Sequence, residues 1–213
     1  MSGGFNVIPP QFQVALAPRG PFANGDNQAA SIGPHGELLV SFYEAPYRML
    51  QKYKQTFFAA NQAATTWSVG LTTTYTGFCL NNPAASKKNL SLLKIGFILG
   101  AAPGAIDPVA IAQGWAAVDC THTAALSVYD GQKGLVSTQQ QGRADAGNTT
   151  LSATPVYRRW ILGGFTAATL PSPNSPVIDD GGLIELVPGG FIIIAAIGAL
   201  SGMAFAEWAE VDA

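Results

Sequence analysis

FIIIAAIGALSGMAFA, residues 191–206, is a run of sixteen residues without a charge, and its reading decides the fold. A helix that crosses a bilayer needs about 20 consecutive apolar residues. This run is shorter, and Gly198, Ser201 and Gly202 interrupt it. Pro188, Gly189 and Gly190 give a turn signal just upstream, while Glu207 and Glu210 follow closely downstream. Phe191, Ile192, Ile193 and Ile194 favour extended backbone, because β-branched and aromatic side chains pack well on a pleated surface. The stretch therefore reads as strand, turn, strand (191–199 and 203–211) and not as a membrane span. In the second strand Met203, Phe205 and Glu207 alternate with Ala204, Ala206 and Trp208, the period of two that marks a half-buried strand.

The same punctuation runs through the rest of the chain. Its 24 glycines and 14 prolines divide it into short apolar segments, which argues for many strands joined by turns. Strands are expected at Thr56–Ala60, 65–72, 77–81, 89–99, 109–118, Val156–Leu162 and 177–187. A further strand is expected at 37–43, and a helical turn at 46–55 opening on Pro46. In 89–99, Leu90, Leu92, Leu93, Ile95, Phe97 and Ile98 are broken only by Lys94, so this strand is expected to be covered on both faces. Asp179 and Asp180 before Gly181 and Gly182 read as a turn. Residues 119–154 form the one polar tract and read as a long loop excursion over the surface. The expected fold is all-β: an antiparallel β-sandwich or jelly roll over 37–213.

Residues 1–36 read differently. Pro9, Pro10, Pro18 and Pro21 deny this stretch ladder hydrogen bonds, and its apolar side chains are too few to build a core. It is expected to be an extended N-terminal arm. Phe5, Phe12, Val14, Leu16 and Phe22 are its candidate assembly residues, placed to add a strand to a neighbour's sheet edge.

Charge limits the function classes. Only 24 residues, 11 basic and 13 acidic, are charged, 11% of the chain against about 25% in an ordinary soluble domain. A folded chain of this mass exposes roughly 9,300 Å², which so few charges cannot cover. With the membrane reading set aside, association with other subunits is the expectation. Lys87-Lys88 and Arg158-Arg159 are the only basic pairs, so no basic stripe suits a nucleic-acid backbone. Residues 1–20 lack the basic and apolar regions of a signal peptide, and synthesis in the cytoplasm is expected.

No catalytic, metal or cofactor constellation stands out. His35 and His122 read as surface loop histidines without a second ligand at metal spacing. Cys79 and Cys120 read as two buried, reduced thiols. There is no nucleophile elbow and no phosphate loop, and residues 81–89 form a polar turn between apolar strands. Trp67, Trp115, Trp160 and Trp208 fall in different segments; they suit core or subunit-interface packing, with sugar stacking as the alternative.

Three stretches carry a resemblance: Phe57-Phe58-Ala59-Ala60-Asn61-Gln62, then residues 71–80, then Asn82-Pro83 through Lys88-Asn89-Leu90-Ser91-Leu92-Leu93-Lys94. With Pro188-Gly189-Gly190-Phe191 and the closing Glu207-Trp208-Ala209-Glu210-Val211, they resemble a family of tailed-bacteriophage virion structural proteins. Lys87-Lys88 stand where that family has small residues. The resemblance implies a building block of the particle without enzymatic activity or cofactor, made in the host cytoplasm and residing in the virion. A capsid decoration or cement protein is the first expectation, with the major capsid protein or other virion proteins as partners. Analogy with jelly-roll decoration proteins implies a homotrimer. A tail, collar or fibre-associated protein is the alternative in that class, and a carbohydrate-binding receptor module the alternative outside it.

Overall fold

The computed structural model describes residues 55–100, 108–162 and 176–213, all of them in the unit Pro46–Ala213. The arm 1–36, with Phe5, Phe12, Val14, Leu16 and Phe22, lies outside the described residues. So do His35, the strand expected at 37–43 and nearly all of the helical turn expected at 46–55. The described part is all-β, and no helix occurs in it.

Two antiparallel sheets pack face to face. One is built on β1 (Thr56–Ala60), β5 (Lys88–Leu99), β12 (Val177–Leu186) and β14 (Ser201–Asp212), in the order β12-β5-β14-β1. The short strands β2 (Thr65–Thr66) and β8 (Tyr129–Asp130) add to it beside β14 and β1. The other sheet holds β4 (Cys79–Asn81), β6 (Val109–Trp115), β9 (Arg143–Asp145), β11 (Val156–Leu162) and β13 (Gly190–Ala196), in the order β11-β6-β13-β4-β9. A small third sheet, β3 (Thr74–Thr76), β10 (Asn148–Thr150) and β7 (Thr121–His122), runs in the order β3-β10-β7.

The apolar run that opened the sequence reading sits at the centre. All seven residues of β13 are buried. Ile192, Ile194 and Ala196 point into the main core between the two large sheets. Phe191, Ile193 and Ala195 point the other way, into a smaller core with Tyr75, Ala112 and Leu151. A strand with a core on each face must be apolar at every position, and this explains the unbroken FIIIAA. On β6, Gly114 lies opposite Phe191, and a Cβ there would fall 2.4 Å from the phenyl ring; the missing side chain makes room for the aromatic one.

Strand β5 corrects the expectation of two covered faces. Its buried core residues are Leu90 and Leu92, then Ile95, Phe97 and Leu99. The parity changes because the register slips at Leu93 against both neighbours: Leu92 pairs with Trp208 and Lys94 with Glu207 on β14, while Leu92 pairs with Ile184 and Lys94 with Asp179 on β12. A bulge turns an alternating pattern into an apparently continuous one. One face supplies the core, and Ile98 on the other is exposed.

Residues 179–182 are a bulge and not a turn. β12 runs through them, with four residues, 180–183, set against Leu93, and Gly181 and Gly182 take positive φ of 57° and 86°. The Asp180 carboxylate accepts the Ile184 N–H across the bulge. The true turn follows at Val187-Pro188-Gly189-Gly190, where the Gly190 N–H donates to the Val187 carbonyl at 2.8 Å. Gly189 has φ 85° and backs onto the Ala116 carbonyl; Pro then Gly at the two central positions makes this a type II turn. Asn82 clasps it. Its N–H donates to Gly190 and its carbonyl accepts from Gly189, while its side-chain amide donates to Lys88 and Leu186 at 2.7 and 2.8 Å. The polar turn at 81–89 and the Pro188-Gly189-Gly190 turn are thus one assembly.

The polar tract 119–154 is also not a single loop. It places β7, β8, β9 and β10 in all three sheets and buries Cys120, Ala144, Asp145 and Leu151.

Double coverage of β13 sets a clear test. Ile192→Ala and Ile193→Ala, which hollow different cores, are each expected to cost about 2–5 kcal/mol. Leu183→Ala, at a side chain 79% exposed, is expected to stay within about 0.5 kcal/mol. Urea unfolding of the three variants checks this, and equal losses at all three positions would contradict the layering.

Candidate functional site

Edge strand β11 carries the feature that stands out on the surface. Residues 156–160 are all exposed. In a regular strand Tyr157 and Trp160, three apart, would point to opposite faces. The register against β6 slips at Arg158, so that Tyr157 lies opposite Ala112 and Trp160 opposite Ala110. Ala110 and Ala112 share a face, and the bulge therefore brings both rings to the outer side of this sheet. The ring centroids stand 4.7 Å apart, with Trp160 53% exposed. A second slip in the register against β6 falls at Ile161.

The same bulge sets Arg159 opposite Ile111; its half-exposed guanidinium meets the buried Asp180 carboxylate at 3.3 Å and ties the edge of one large sheet to the edge of the other. Beside this tie the layer between the sheets opens into a groove of about 320 Å³, lined by Gln113, Trp115, Val156, Glu185, Leu186 and Val187 among others. Trp115 is 58% exposed, and its indole N–H is held by the Pro188 carbonyl at 2.8 Å. The four tryptophans thus divide. Trp67 and Trp208 are buried in the main core, while Trp115 and Trp160 are exposed.

A second cluster holds most of the groups that could do chemistry. His122 is not a surface loop histidine: its side chain is 8% exposed, and Nδ1 lies 3.5 Å from the fully buried carboxylate of Asp145. Its Nε2 lies 3.4 Å from the Asn81 side-chain oxygen. Asp145 also accepts the N–H groups of Ala124 and Gly147 at 3.0 and 2.7 Å. Nδ1 is buried beside the Asp145 carboxylate without a hydrogen bond of good geometry, so the ring is held in place mainly by burial between Asp145 and Asn81. Burial holds the His122 pKa below its usual value; Arg143 pushes the same way, and Asp145 and Asp119 push against it. Cys79 and Cys120 are free and buried, as the sequence suggested. Among the described residues no group of three or more His, Cys, Asp or Glu side chains is placed to hold a metal ion.

Carboxylates missed in the sequence pin the 119–154 segment. Glu210, 2% exposed, accepts the N–H groups of Gln141 and Gly142 and the indole of Trp208. Asp119 accepts the Ala84 N–H at 2.6 Å and faces Arg143 at 3.7 Å. Asp130 closes its own turn through the N–H groups of Gln132 and Lys133. The one sequence signal for Glu210 was its place on the inward parity of a strand, opposite Leu90.

No family model, no curated protein and no solved structure matches the chain. No helix among the described residues is long and apolar enough to cross a membrane.

Two outcomes follow from the clamps. The unfolded chain protonates His122 near pH 6.5, whereas the folded chain resists. Its contribution to stability is therefore complete above about pH 6.5 and lost as pH falls below it. Denaturant titrations across this range should show that decline, and His122→Gln should reduce it. Glu210→Ala orphans buried N–H groups, each worth about 1–3 kcal/mol. Amide hydrogen exchange at Gln141 and Gly142 should accelerate, and unchanged protection would rule out the pinning role.

Proposed function

We propose that the chain is a structural component of a bacteriophage virion, a capsid decoration or cement protein that assembles as a homo-oligomer, a trimer by analogy, and clamps neighbouring subunits. The observation that carries the assembly reading is the exposed Tyr157–Trp160 pair on edge strand β11, its rings 4.7 Å apart and tilted by 30°. Aromatic side chains are the commonest anchors of protein interfaces, and this pair is displayed by a bulge in a chain with few surface charges. The virion part of the reading draws support from the wiring. The strand orders β1-β14-β5-β12 and β4-β13-β6-β11 follow the jelly-roll pattern, an architecture frequent in viral capsid domains. The resemblance in residues 57–94 and 188–211 points the same way. In this reading the arm 1–36 reaches a neighbouring subunit through Phe5, Phe12, Val14, Leu16 and Phe22, with the major capsid protein or other virion proteins as further partners and no enzymatic step. A tail, collar or fibre-associated position would use the same surfaces.

A carbohydrate-binding module is the second reading. It is favoured by Trp115, an exposed indole held in place beside Gln113 and Glu185, and by the use of jelly rolls in lectins.

The test compares the full chain with Tyr157→Ser/Trp160→Ser and with a chain lacking residues 1–36. Light scattering should give an oligomer for the full chain and a folded species near 22.1 kDa for the double variant. The truncated chain should fold but fail to join purified particles. A monomeric full chain at micromolar concentration would overturn the assembly reading. Glycan-array binding abolished by Trp115→Ala would favour the second reading over the first.

A further inference from the structure

The outer strands of the two large sheets, β11 and β12, lie along one side of the sandwich. Two observations bring them together there: the Arg159–Asp180 contact at 3.3 Å, and the groove that Val156 of β11 lines together with Glu185 and Leu186 of β12. Of the thirteen large apolar side chains exposed among the described residues, seven stand on these two strands or at the groove between them. Leu183 of β12 is the most exposed of them, and β11 adds Tyr157 and Trp160.

Charge on this side is divided between the strands. On β11, Arg158 is exposed, and its guanidinium donates to the Gln113 side-chain oxygen. On β12, Glu185 is exposed and lies opposite the uncharged Ser91, while Asp179 has Lys94 as its cross-strand neighbour. Arg159 and Asp180 satisfy each other within the chain. Among the described residues, neither Arg158 nor Glu185 forms an ion pair. The side therefore has a basic rim and an acidic rim, with apolar side chains between and beside them.

We propose that this side is an interface between copies of this chain: β11 of one copy lies against β12 of the next, so that Arg158 meets Glu185 of the partner subunit while the apolar side chains are covered. The inference rests on the assembly reading above and adds the surface that receives the Tyr157–Trp160 pair. A second copy is the occupant because the two rims complement each other. A side that carries opposite signs on separate strands matches itself, a match that an unrelated partner would not require. The apolar side chains supply buried area, and opposite charges in facing patches fix the register and disfavour wrong partners. The pairing closes whether two copies meet reciprocally or three meet head to tail, since each copy gives one rim and receives the other.

The experiment measures self-association of the full chain by sedimentation velocity, beside Arg158→Glu, Glu185→Arg and the double variant Arg158→Glu/Glu185→Arg. Each single reversal sets like charges against each other and is expected to weaken association about tenfold or more, with a larger effect at low salt than at high salt. The double variant restores opposite signs and is expected to associate as the parent chain does. Should a reversal disturb folding, Arg158→Gln and Glu185→Gln, which introduce no repulsion, should each flatten the salt dependence. An oligomeric full chain whose single reversals associate like the parent, or whose double variant is weaker than either single one, would overturn the proposal and leave assembly to another surface. A monomeric full chain would overturn the assembly reading and this interface together.

Discussion

Everything in this fold depends on β13 being packed on both faces. One strand supplies Ile192, Ile194 and Ala196 to the core between the large sheets and Phe191, Ile193 and Ala195 to the core under the small one. Such a strand has no polar side to turn to water, so the layers above and below it must both form. That constraint accounts for the third sheet, whose strands have no more than three residues each and could not stand alone. It also accounts for the elements beside β13: glycine at 114 to admit the Phe191 ring, and a tight Pro188-Gly189 turn that delivers the chain from one large sheet to the other. Loss of either core would leave half of β13 facing solvent.

The sequence was legible where side chains alternate without interruption and misleading where a bulge intervened. Thr56–Ala60 and Val156–Leu162 begin and end as expected, and the alternation of Met203 to Trp208 is seen as read. In β5 a single slip at Leu93 shifted the parity, so that a one-faced strand looked two-faced. In β11 the slip at Arg158 joined Tyr157 and Trp160, a pairing that spacing alone forbids. The excursion 119–154 was obscured for another reason. Its strands are two or three residues long and hold their places through buried carboxylates, Asp145 and Glu210, which accept backbone N–H groups distant in sequence, Ala124 for the one and Gln141 and Gly142 for the other. Turn chemistry was read better at 188–190, where Pro then Gly specify one geometry, than at 179–182, where Asp-Asp-Gly-Gly serves a bulge.

Scarce charge acquires a second meaning in the folded molecule. Several of the few acids are turned inward: Asp145, Asp180 and Glu210 are buried, each engaged with main-chain donors. A buried carboxylate is tolerable only when its oxygens are met by such donors, and here they fix loops in place. The outward surface is left poorer in charge than the composition implies, while Trp115, Val156, Tyr157, Trp160 and Val187 are exposed on it.

Both long outer strands of the sandwich, β11 and β12, are irregular. A straight free strand is an invitation to endless recruitment, since each added strand offers the next a fresh row of hydrogen-bond partners. Each outer strand here is broken by register slips against its inner neighbour, which bends it away from a straight row. What they present is rings and aliphatic side chains at fixed angles, which a complementary surface can fit once and then conceal. Contacts of that kind saturate: as a class they favour bodies of finite size over filaments, because a surface once covered offers no fresh ladder to the next copy.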